Sequence, residues 1–164
     1  MKEILIATHK LPGYTVSTFQ RGTERLHRVQ VTGPISINER INLYVKILST
    51  MASNNFYCIV DNSTGYENNF SYQDMKLLDD MLIEYGVKNF YGATITPDRY
   101  YHILVDVANQ HANNIGLNCE LISTDNHEEA EKFIDKHIQQ QSGKNILGKD
   151  ANEVDGADKL HRYF

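Results

Sequence analysis

A single α/β domain is the fold class this sequence predicts: a mixed central sheet with covering helices, ordered β-β-α-β-α-β-α-β-α after a short N-terminal strand. Three observations predict it. Residues 14–32 alternate apolar and polar side chains around a short glycine-containing link. FYCIV, residues 56–60, is an uninterrupted apolar run, the signature of a strand buried on both faces. From there, strand-like runs alternate with segments of helical period.

EILIAT, residues 3–8, reads as the short first strand, closed by a turn at Pro12 and Gly13. YTVSTFQ (14–20) and RLHRVQVT (25–32) form a hairpin across RGTE. Leu26, the aliphatic part of Arg28 and Gln30 lie on one face, and His27, Val29 and Val31 on the other. In GPISINERINLYVKILSTMA, Ser36 and Glu39 have the spacing of a capping box, and Ile37, Ile41, Tyr44, Val45, Leu48 and Met51 give one broad apolar face. After FYCIV, residues 71–85 are helical by period, with Met75, Leu78, Leu82 and Tyr85 inward. VKNFYGATI (87–95) is a strand, and Thr96-Pro97 reads as the cap and first turn of a helix reaching about Asn113. That helix presents Tyr101, Leu104, Val105, Ala108 and Ala112. LNCELIS is the last strand, and TDNHEEAEKFIDKHI a last helix with Ala130, Phe133, Ile134 and Ile138 inward. Residues 1–138 are therefore expected to form the domain and 139–164 a C-terminal extension, mobile or docking through KLHRYF.

Composition narrows the function classes. The 164 residues carry a formal charge of -5, which argues against nucleic acid, because its recognition needs a basic footprint. No stretch approaches the length of a membrane span, and the N-terminus lacks a signal-peptide pattern, so a cytoplasmic protein is expected. Cys58 and Cys119 sit in apolar segments and read as buried, reduced thiols. The seven histidines show no metal-ligand spacing, so neither metal nor cofactor is expected.

Candidate site residues gather where the central strand ends. Asp61 falls at its carboxyl end, where ligands of open α/β sheets tend to bind. NSTGYENN follows, with Ser63, Thr64 and Tyr66, but without the glycine and lysine spacing of a phosphate-gripping loop. Asp61 also has a plain role open to it, bonding the N–H groups of its own turn. Ser71 with Asp74 forms a capping box and Phe70 with Met75 fits a hydrophobic staple; a phosphate on Ser71 would meet the positive end of the helix dipole but also Asp74. His102 and Asp106, one turn apart, could make a base-and-orienter pair. Tyr66, Tyr72, Tyr91, Tyr100 and Tyr163 cannot all point inward, which favours a recognition surface.

The element order, the strand end at Asp61, the serine opening the second helix, VTGPIS and STDNHEEAEKF together resemble the STAS domain of anti-sigma factor antagonists and sulfate transporters. In the antagonists the serine at the place of Ser71 is phosphorylated by a partner kinase. Here Phe70 stands where they carry Asp, and Tyr72-Gln73 brings no glycine. The divergent SpoIIAA-like branch, related to lipid-binding Sec14 domains, is similar to the same degree. The resemblance implies a non-enzymatic regulatory or protein-binding module recognising a partner through Asp61, Ser63, Thr64, Tyr66, Ser71 and Tyr72, with a protein partner or a homodimer. The alternative it implies is a carrier of a small apolar molecule or lipid. An enzyme using Asp61, Ser71 or the His102–Asp106 pair is the third reading.

Overall fold

The computed structural model describes residues 2–147. The strands are β1 (Glu3–Leu11), β2 (Tyr14–Arg21), β3 (Glu24–Val31), β4 (Asn55–Asp61), β5 (Asn89–Ile95) and β6 (Asn118–Thr124). The helices are α1 (Ile37–Leu48), α2 (Tyr72–Glu84), α3 (Tyr101–Asn114) and α4 (His127–Leu147). The six strands lie in one sheet in chain order. β1, β2 and β3 pair antiparallel, and β3 through β6 pair parallel. This is the expected mixed sheet and element order.

Local chemistry sets the first half. Pro12 and Gly13 join β1 to β2, and Gly13 has φ +80, the conformation a Pro-Gly turn asks of its second residue. β3, α1, β4, α2, β5, α3 and β6 then follow as three successive helical crossovers, each to the adjacent strand. Crossovers of one hand that advance in one direction place their helices on one face. Accordingly α1, α2 and α3 share a core with Tyr14, Val29, Phe56, Cys58 and Phe90. α4 turns back to cover the other face, where Ala130, Ile134 and Ile138 pack on Leu26, Tyr57, Ile59, Tyr91 and Ala93. FYCIV is thus central, with Phe56 and Cys58 facing one core and Tyr57 and Ile59 the other.

Four details differ from expectation. In α1 the buried residues are Leu43 and Ile47, while Ile37, Ile41 and Val45 are half-buried. That helix is apolar around much of its circumference, so period alone leaves its rotation open. Thr96-Pro97 does not open α3, which begins at Tyr101; Thr96 Oγ1 instead accepts from the Asp98 N–H at 3.2 Å, and the Asp98 carboxylate accepts from Tyr100 N–H. Tyr91 is buried rather than exposed, stacked between Tyr57 and His137. α4 continues to Leu147, and Gln141 donates to the Tyr91 hydroxyl at 3.1 Å; residues 148–164, including Tyr163, lie outside the described residues. Among the described residues no helix is long and apolar enough to cross a membrane.

Candidate functional site

The carboxyl ends of β4, β5 and β6 are level, with Asp61 beside Ile95 and Ile95 beside Thr124. The three strand-to-helix connections therefore share one rim. The link into α1 bonds the 62–70 loop through Ile35 N–H to Glu67 O at 2.9 Å and Asn69 N–H to Ile35 O at 3.2 Å. Asn62 anchors the other end: its N–H reaches Ile95 O at 2.8 Å, and its buried amide both donates to and accepts from the Tyr66 backbone at 3.0 Å. Gly65, at φ +81, leaves only enough room for Pro97: a Cβ there would stand 3.3 Å from Pro97 Cγ.

Beneath this rim, between the sheet and α1–α3, lies a cavity of about 330 Å³. Its floor is Phe56, Cys58 and Phe90 with Gly92, where a Cβ would come within 2.8 Å of Leu121 Cδ2. Leu43, Met75, Leu78, Leu104, Val105 and Ala108 form the helical walls. Tyr101, Leu104 and Ala108, three of the half-buried positions of α3, face this space. Volume and lining fall in the range of small-molecule sites, which are mostly apolar with a few placed polar groups.

Those polar groups come mainly from the helices. Arg40 of α1 lies with its guanidinium 4.4 Å from the centre of the Phe70 ring, and it donates from Nη2 to Asn68 Oδ1. Its Nε is buried with no hydrogen-bond partner. Burial works against its charge, while the nearby hydroxyls of Tyr101, Tyr14 and Tyr44 favour it and hold its pKa above the ordinary value. Asp79 of α2 also lines the cavity, and burial first, then the charge of Asp80, pushes its carboxyl up to about 7. Its Oδ2 stands 3.7 Å from His111 Nε2, beyond hydrogen-bond length, and His111 Nδ1 shares a 3.1 Å bond with the Tyr72 hydroxyl. Cys58 is buried on the cavity floor, where desolvation pushes its thiol up to about 12.

The residues expected from sequence are placed as follows. Tyr66 lines the cavity mouth. Ser63, Thr64, Ser71 and Tyr72 are exposed on the outside of the same lip. Ser71 caps α2: its Oγ accepts from Asp74 N–H at 3.1 Å and its N–H donates to Asp74 Oδ2 at 2.9 Å. Asp61 lies across the sheet from the cavity, since β4 turns Phe56 and Cys58 to one face and Tyr57 and Ile59 to the other. There it accepts from Ser63 N–H at 2.9 Å and pairs with His127 Nε2 at 3.0 Å. Burial would raise its pKa, but the bonds from Ser63 and His127 outweigh burial and hold it below the ordinary carboxylate value. Asp61 and Ser71 therefore do not converge on one cleft. Nor do His102 and Asp106 pair among the described residues; His102 Nδ1 bonds the Ser123 hydroxyl instead.

Sequence reasoning missed Arg40, Asp79 and His111. Each falls on the period of its helix's apolar face but carries a polar side chain, so residue type gave no signal, and only the packing of the helices and the 62–70 loop shows what each meets. Among the described residues no group of three or more His, Cys, Asp or Glu side chains could hold a metal ion. Compared with protein-family models, curated proteins and solved structures, the chain matches none.

Proposed function

We propose that this chain is a small-molecule-binding module that holds its ligand rather than converting it, built along the lines of the SpoIIAA-like and Sec14-related carriers. The observation that carries this reading is the 330 Å³ cavity under the strand-to-helix rim, walled by apolar side chains and edged by Arg40, Asp79 and the tyrosines. The nucleophile nearest to hand, Cys58, is poorly equipped for catalysis, because a thiol pushed up to about 12 supplies almost no thiolate at neutral pH. Native mass spectrometry of the gently purified full chain tests the reading. A discrete extra mass in the small-molecule range, released on denaturation, is expected; a ligand-free chain that also fails to take up neutral phenylnaphthylamine would overturn it.

Partner recognition is the second reading, in keeping with a STAS-like regulatory module. It is favoured by the exposed lip, on which Ser63, Thr64, Tyr66, Ser71 and Tyr72 are all accessible. Incubation with cell extract and ATP followed by phosphosite mapping checks it. Phosphate on Ser71 supports the regulatory reading, and phosphate confined to other residues, or none, speaks against it.

A further inference from the structure

We infer that the molecule the cavity takes is an amphipathic organic anion, with an apolar body against the sheet and α3 and one oxyanion head on Arg40. This rests on the small-molecule reading above and names the class of ligand.

The head is argued from an unbalanced charge. A guanidinium carries five N–H donors and does not discharge at physiological pH. Buried charges in folded proteins are paired, because an unpaired one forfeits its hydration without return. Arg40 breaks that pattern: its Nε is buried without a partner, its hydrogen bonds go to the neutral amide of Asn68 and the Tyr101 hydroxyl, and Phe70 lies across its face. No carboxylate lies within 4.0 Å of it among the described residues. Three acidic residues do line the cavity, namely Glu67, Asp79 and Asp98, and none makes an ion pair with it. Asp79 instead stands 3.7 Å from His111 Nε2, between α2 and α3. The planar fork of Arg40 matches a carboxylate or phosphate with two parallel bonds. Tyr14, Tyr44 and Tyr101 line the same space and add hydroxyl donors for the remaining oxygen lone pairs.

The body is argued from the walls. Phe56 and Phe90 meet edge to face at 4.8 Å on the floor, and Leu104, Val105 and Ala108 stand opposite. These surfaces offer no hydrogen bonds, so whatever covers them is apolar. An inorganic anion would satisfy Arg40 but leave this surface wet, and a plain hydrocarbon would fill the walls but leave the guanidinium bare.

Two fluorescent probes that differ by a single anionic group test this on the full chain: anilinonaphthalene sulfonate and its neutral counterpart phenylnaphthylamine. The parent should bind the sulfonate at least about tenfold more tightly, the scale of one desolvated charge-assisted pair. Arg40→Met should bring the two probes within about twofold of each other, and a cooperative urea transition like the parent's shows that the variant is folded. Equal affinities in the parent, or an undiminished preference in Arg40→Met, overturn the anion while leaving the cavity reading standing. Binding of neither probe overturns both. If Arg40→Met does not fold, competition on the parent decides: decanoate displacing phenylnaphthylamine at lower concentration than decanol supports the anion, and parity overturns it. Protein spun clear of phosphatidic acid vesicles and extracted then identifies the source. Recovered phosphatidic acid marks a membrane lipid, and its absence alongside displacement by decanoate marks a free amphiphile.

Discussion

Ser71 shows how much one short string can state. Ser, two residues and Asp at the head of an apolar period specify a capping box, and both of its bonds form. Ser71→Ala should therefore lower the unfolding free energy by about 0.5–2 kcal/mol in urea titrations; equal values would mean that the cap contributes nothing. Arg40 shows the opposite case. Its surroundings are Phe70 and Asn68, thirty residues away, and no local spacing announces them. His27 was assigned to the correct face of β3, but its full enclosure was not legible because it depends on neighbours in other strands. It is completely buried, with Nδ1 3.0 Å from Thr18 Oγ1 and Nε2 without a partner. Burial, with the charge of Arg25 second, pushes its pKa from 6.5 down to about 3. Between those values the unfolded chain binds the proton and the folded chain does not. Stability is therefore lost as pH falls through that window, by up to about 1.4 kcal/mol per unit. Urea midpoints of His27→Gln should fall less steeply than those of the parent as pH drops below 6.5; parallel curves would contradict the assignment.

Elements were legible where one face was apolar and the other polar. The buried Met75, Leu78 and Leu82 of α2 and Ala130, Ile134 and Ile138 of α4 follow directly from period. α1 was not fully legible, because Ile37, Ile41 and Val45 compete with Leu43 and Ile47 for the core, and only docking on β2 and β4 chooses between them. The start of α3 was misplaced because Thr-Pro signals a turn as well as a cap, and here the turn won. Asp79 occupies the inward side of α2, on the same period as Met75 and Leu82, where an acidic side chain is not expected. Its carboxyl is held up to about 7, so the folded chain keeps a proton that the unfolded chain gives up near 3.8. Stability then declines as pH rises across that window, and the penalty persists above it. Asp79→Asn should gain stability over the parent progressively from pH 3.8 to about 7, read as a rising difference in urea midpoint. A difference that stays flat or shrinks with pH would show that the carboxyl ionises freely.

At the scale of the whole molecule, the two rims of the sheet are built differently. The rim at the amino ends of the parallel strands is sealed by a polar ladder. Asn118 donates to Asn89 at 2.7 Å and Asn89 to Asn55 at 2.7 Å, while Asn55 and Ser53 donate to the buried Glu24 at 2.9 and 2.6 Å. The opposite rim opens onto the cavity. The order of strands and helices along the chain was legible in alternation and period, and crossover rules prune the sheets it can form. It does not fix how far helices stand from the sheet, which depends on summed side-chain volumes such as Gly92 on the floor and Ala108 on the wall. The cavity was invisible for that reason, although every residue that lines it was in view. Ala108→Trp puts the account to its most direct test, with unfolding free energy and phenylnaphthylamine binding measured on the same sample. If the space between the sheet and α3 is open, the indole enters it, stability is held or raised, and probe binding is lost. A fall in stability of about 1–3 kcal/mol, the cost of overpacking a filled core, would contradict the cavity and the function proposed for it.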